Sequence, residues 1–161
     1  MDQLLCGASG GGLIAGINLV MAEQSPDTRV IVVEPDAFDD TRRSLEAGQR
    51  TAHPQGSPSI CDALMAPMPG ELTFAINRRL AGAITVSDAE VAEAVRFAFR
   101  QLKLVVEPGG AAACRPTSVG CRGPGARGAR AWALRAPGRR SLIGPKLAAL
   151  TRARARSPEQ G

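Results

Sequence analysis

The run CGASGGGLIAG, Cys6–Gly16, carries five glycines in eleven residues, and its reading decides the fold. Before it, LLCG has the look of the last residues of a strand. After it, LIAGINLVMAEQ is apolar all round, as expected of a helix packed on a sheet. TRVIVVEP follows with the β-branched run Val30, Ile31, Val32, Val33, which does not alternate and so fits a central parallel strand covered on both faces. Strand, glycine loop, helix and strand make one βαβ unit. Main-chain N–H groups converge on an anion only where no Cβ intervenes, and Gly10, Gly11 and Gly12 supply that bareness. A helix starting near Gly12 adds its dipole and its unpaired amides, and Ser9 adds a hydroxyl. The loop is therefore read as a phosphate cradle. A Walker loop is excluded, because no lysine follows the glycines. Two other readings stay open: a tight turn without a ligand, and a dinucleotide site. For the latter, Gly10, Gly12 and Gly16 match G-x-G-x-x-x-G, and Glu34 stands where an acid would hold a ribose.

Further along, DDTRRSLEAGQ reads as a helix beginning at Asp39 or Asp40 and stopping at Gly48. RTAHPQGSPS is a loop, ICDALMAPMPG a short apolar stretch with turns, and ELTFAINRRL a helix. AGAITVSDAEVAEAVRFAFRQL is a strand and then a helix, with Ser87 and Glu90 spaced for a capping box. KLVVEPGGAAA reads as one more strand ending in glycines. Strands alternating with helices predict an α/β fold: three layers around a mainly parallel sheet.

Charge divides the chain near Cys114. Residues 1–114 hold 9 Lys and Arg against 14 Asp and Glu, a net −5; residues 115–161 hold 11 basic residues against Glu159 alone, a net +10. The second part is rich in Gly, Pro, Ala and Arg without period, and is expected to be a disordered basic tail. Its arginines invite a nucleic-acid reading through phosphate neutralisation. Trp132 is its one aromatic, so no stacking platform exists, and no specific nucleic-acid partner is expected. The four cysteines (Cys6, Cys61, Cys114, Cys121) form no C-x-x-C pair and His53 is the single histidine, which argues against a zinc cluster. Free thiols in a reducing, cytoplasmic setting are the expectation, with no membrane span.

Four segments in order, SGGGLIAGI, VEPDAFDD, SICDAL and VVEPGGAAA, resemble the second half of fold-type-II pyridoxal-phosphate enzymes, the threonine/serine dehydratases and serine racemases above all. The resemblance covers roughly residues 1–113. It implies part of the large domain of a tryptophan-synthase-β-like fold. It implies pyridoxal 5'-phosphate as cofactor, its phosphate on the amides of Ser9, Gly10, Gly11, Gly12 and Leu13, with Glu107 close to the ring. It also implies a divalent cation, such as Mg2+, held by Glu34, the carbonyl of Phe38 and Asp40; two carboxylates and a main-chain oxygen suit a hard cation. The substrate would be a small amino acid, losing water and ammonia or racemising, and such enzymes are commonly homo-oligomeric.

The departures are equally specific. The family's cofactor joins a lysine in a Ser-x-Lys-type motif of the first half. This chain has only Lys103 and Lys146, and neither matches. About half of such an enzyme is expected upstream of Met1, so no catalytic residue is assigned and the chain alone is expected to be inactive. The change after Ala113 suggests a reading-frame shift in a GC-rich gene.

Overall fold

The computed structural model describes residues 2–54 and 58–114. The expected basic tail, with Cys121, Trp132 and Lys146, lies outside the described residues. The first unit is β1 (Gln3–Gly7), α1 (Gly12–Gln24) and β2 (Arg29–Pro35). Then come α2 (Asp40–Ala47), a 3-10 turn at Asp62–Leu64, α3 (Glu71–Asn77), β3 (Gly82–Val86), α4 (Asp88–Phe97) and the short α5 (Pro108–Ala111). The sheet order is β1-β2-β3 and both pairings are parallel, with Cys6 beside Val32 and Val32 beside Ala83.

Strand alternation sorts the core into two layers. On one face Leu4, Cys6, Val30 and Val32 pack with Ile14 of α1, and Ile17, Met21 and Leu80 close the edge. On the other, Leu5, Val33 and Val86 pack with Val91 of α4, with Cys61 and Leu64, and with Ala112 and Ala113 after α5. Six consecutive residues of β2, Val30 to Pro35, are buried, as the unbroken β-branched run requires of a strand covered on both faces. Helix layers on both faces of a parallel sheet confirm the α/β, three-layer expectation. Among the described residues no helix is long and apolar enough to cross a membrane.

Local punctuation behaves as its chemistry demands. Gly48 ends α2 at φ +68, and its amide donates to Leu45 O. Ser87 N donates to Glu90 Oε2 at 2.9 Å, and Glu90 N donates back to Ser87 Oγ at 3.3 Å, a complete capping box. Two expectations need correction. Helix α1 is not covered all round: it buries Ile14, Ala15 and Asn18, while Leu19 and Val20 lie exposed, because a helix on a sheet presents only one stripe to it. The segment from Lys103 to Glu107 is no strand. Beyond α4 the helix widens into a π turn, Ala98–Leu102, closed by Lys103 at φ +57. Residues 103–107 then run without sheet pairing, with Val105 88% exposed. Apolar, β-branched composition makes a strand only where a neighbouring strand offers its hydrogen bonds, and among the described residues none flanks this segment.

Candidate functional site

The glycine loop leaves the carboxyl end of β1, where open α/β sheets place their ligands. Ala8 N donates to Val33 O at 3.3 Å, tying the loop's start to β2. Gly11 then turns the chain at φ +84 and caps α1. Two facts make glycine obligatory there: L residues are strained at that φ, and an added Cβ would lie 2.8 Å from Asn77 Nδ2. Above it, the Cβ positions of Gly10 and Gly12 meet no atom within 4 Å.

Every hydrogen bond the loop glycines make to α3 and its entry uses a carbonyl. Gly10 O accepts from Gly70 N at 3.2 Å and from Thr73 Oγ1 at 2.5 Å. Gly11 O accepts from Ala15 N at 3.0 Å and from Asn77 Nδ2 at 3.1 Å. The amides of Ser9, Gly10, Gly11, Gly12 and Leu13 donate to no acceptor among the described residues. They border a pocket of about 270 Å³. Ser9, Gly10, Gly11, Gly12, Leu13 and Glu107, all singled out from the sequence, line this one pocket. Ala63, Leu64, Gly109 and Gly110 also line it. Glu107 stands just before α5 on the exposed side. Asp62 accepts from Ala63 N at 2.9 Å and faces solvent.

A second cluster sits where β2 meets α2. Glu34 is fully buried; its Oε1 accepts from Thr41 N and its Oε2 from Arg42 N, both at 2.9 Å. Burial still raises its pKa, against the pull of those bonds. Asp40 is also fully buried, and neither carboxylate oxygen has a partner. Burial first, and Glu34 beside it second, push its pKa up to about 7. Asp39 differs: burial would raise it, but hydrogen bonds from Arg43 and Arg42 outweigh that and hold it below the usual carboxylate range. Phe38 is half-buried, its ring stacked on His53 at 5.4 Å between centroids. Among the described residues no three His, Cys, Asp or Glu side chains converge as a metal site.

Lys103 is not among the residues that line the pocket. Lys103 Nζ donates to Arg100 O at 2.8 Å on the surface, and Lys146 lies outside the described residues. Cys6 and Cys61 are buried thiols without disulfides, and burial pushes Cys6 up to about 11. Sequence reading missed Thr73 and Asn77. Their partners are 63 and 66 residues away, and no local pattern marks such a contact.

Comparison with known proteins identifies the family. The family model described as "Pyridoxal-phosphate dependent enzyme" matches residues 1–117. The beta-hydroxyaspartate dehydratase of Paracoccus denitrificans is 32% identical over 111 residues, covering 69% of this chain and 35% of that protein. The L-threo-3-hydroxyaspartate ammonia-lyase of a Pseudomonas species is 39% identical, covering 68% and 34%. Among solved structures, the threonine deaminase of T.th. superposes with a TM-score of 0.71 at 39% identity, over 73% of this chain and 42% of that one. Maize serine racemase superposes with 0.67 at 33%, over 70% and 35%. The chain thus spans about a third of the length of these curated relatives. With the glycine loop, the parallel sheet and the family match in agreement, the chain belongs to the pyridoxal-phosphate dependent enzymes.

Proposed function

We propose that the glycine-loop pocket holds the phosphate of pyridoxal 5'-phosphate, and that the intact protein acts on a small hydroxy-amino acid as an ammonia-lyase or racemase. One observation carries this: five successive amides, Ser9 to Leu13, without internal acceptors, at the mouth of a 13-residue helix. A dianionic group fits such a cradle, since no Cβ from Gly10 or Gly12 obstructs it. Ser9 would add its hydroxyl, and Glu107, on the pocket wall, would face the ring. When bound, the cofactor supplies an electron-withdrawing ring that acidifies the substrate Cα–H. This chain's residues would grip, orient and wall off one side; none of them is assigned a proton-transfer step. Residues 1–114 would form part of the cofactor domain, and the buried thiols suit a cytoplasmic setting.

The Glu34–Asp40 corner supports a cation as part of this proposal. Two unpartnered, buried carboxylate oxygens on Asp40, beside Glu34, are costly unless a positive charge joins them. Asp40, Glu34 and the carbonyl of Phe38 would then hold Mg2+ or a similar ion, which would brace β2 against α2.

Titration of the full chain with pyridoxal phosphate, pyridoxal and NAD tests the cofactor reading. Pyridoxal phosphate should bind, and pyridoxal should bind at least about tenfold more weakly, since charge-assisted bonds to the phosphate are lost. Equal affinity for the two, or preference for NAD, overturns it.

A further inference from the structure

We infer that Thr73 and Asn77, on α3, are positioning residues that aim the loop amides at the anion. The inference rests on the phosphate reading and concerns how the cradle is set. In a trans peptide the C=O and the N–H of one unit point in opposite directions, and no cis peptide occurs here. Gly10 O shares its peptide with Gly11 N, and Gly11 O with Gly12 N. Thr73 Oγ1 and Gly70 N pull Gly10 O toward α3; Asn77 Nδ2 pulls Gly11 O the same way. The amides of Gly11 and Gly12 are thereby turned from α3 toward the pocket. Glycine peptides flip easily, so an untethered loop would spread over several orientations.

Asn77 shows that the tether is not a by-product of packing. Its side chain is 1% exposed. Its Nδ2 must be the atom facing Gly11 O, since two oxygens cannot share a hydrogen bond. Its Oδ1 is then left buried without a partner. Stability alone favours an apolar residue of similar size over a half-satisfied amide. Gly11 O would keep its bond from Ala15 N without Asn77. What the asparagine adds is direction. Asn18 Nδ2, donating to Ile76 O at 3.2 Å, fixes α1 against α3, so that the tether has a rigid base.

The test measures affinity of the full chain for inorganic phosphate and for pyridoxal phosphate, by 31P NMR and calorimetry. Thr73→Val and Asn77→Leu should each weaken both by at least about tenfold, on the scale of one misdirected hydrogen-bond donor. Thr73→Ser should bind like the parent. Asn77→Leu should melt no lower than the parent, which separates positioning from folding. Folded Thr73→Val and Asn77→Leu proteins that bind like the parent overturn the inference. If the parent binds neither probe, the cofactor reading fails instead. Backbone 15N relaxation of residues 9–13 then decides: greater mobility in both variants supports the tether, and unchanged mobility sinks it.

Discussion

Glu34 and Asp40 share one buried corner but not its hydrogen bonds: Glu34 takes the amides of Thr41 and Arg42, and Asp40 is left with two bare oxygens. The difference follows from position. Glu34, at the end of β2, looks into the first turn of α2, where N–H groups lack acceptors. Asp40 is itself in that turn.

This asymmetry predicts a pH signature. Asp40 has its folded pKa raised from 3.8 to about 7, so the folded state binds the extra proton. Its contribution to stability is harmless below about pH 4, worsens as pH rises toward 7 and levels off above, reaching at most about 4 kcal/mol. In EDTA, Asp40→Asn should remove that decline, seen as a widening gap in melting temperature between variant and parent from pH 4 to 7. Mg2+ or Mn2+ should narrow the gap at pH 7. A gap independent of pH and metal would contradict both the burial and the cation proposal.

Gly11 and Gly12 are neighbours with opposite tolerances. Gly11→Ala meets Asn77 at 2.8 Å with φ at +84, and should cost at least about 2 kcal/mol in urea unfolding. Gly12→Ala has open space at the start of α1 and should cost under about 0.5 kcal/mol. Similar losses at both positions would refute the described turn.

Ser87→Ala removes one half of the capping box of α4, whose Val91 belongs to the core. A loss of about 1 kcal/mol is expected. Denaturant titration reads it directly, and a neutral effect would mean that the end of β3 fixes α4 unaided.

On the proposed cofactor reading, chemistry on the substrate needs a lysine, and among the described residues none lines the pocket. The 161-residue protein should therefore give no keto acid from L-serine or L-threonine, and borohydride treatment with pyridoxal phosphate should leave no adduct on a pocket residue. Turnover by the purified chain, or a reduced adduct on a pocket residue, would reverse this.

Much of the fold was legible because its causes are local. The β-branched run Val30–Val33, the stop at Gly48 and the Ser87–Glu90 box each depend on residues within a few positions. The glycine cluster likewise marked a bare turn at the end of β1, and all six residues named from the chain line one cavity. The misread segment at residues 103–107 fails for the complementary reason: a strand needs a partner, and composition does not show whether one is present.

What the chain by itself determined, then, is the order of elements and the bareness of the loop, through propensities acting over a turn or two. Which way the loop's amides face, and that Asp40 is stripped of partners, only the tertiary structure decided. Both depend on groups brought together by packing: Thr73 and Asn77 reach Gly10 and Gly11 across 63 and 66 residues, and burial at the β2–α2 junction removes the water that would otherwise satisfy Asp40.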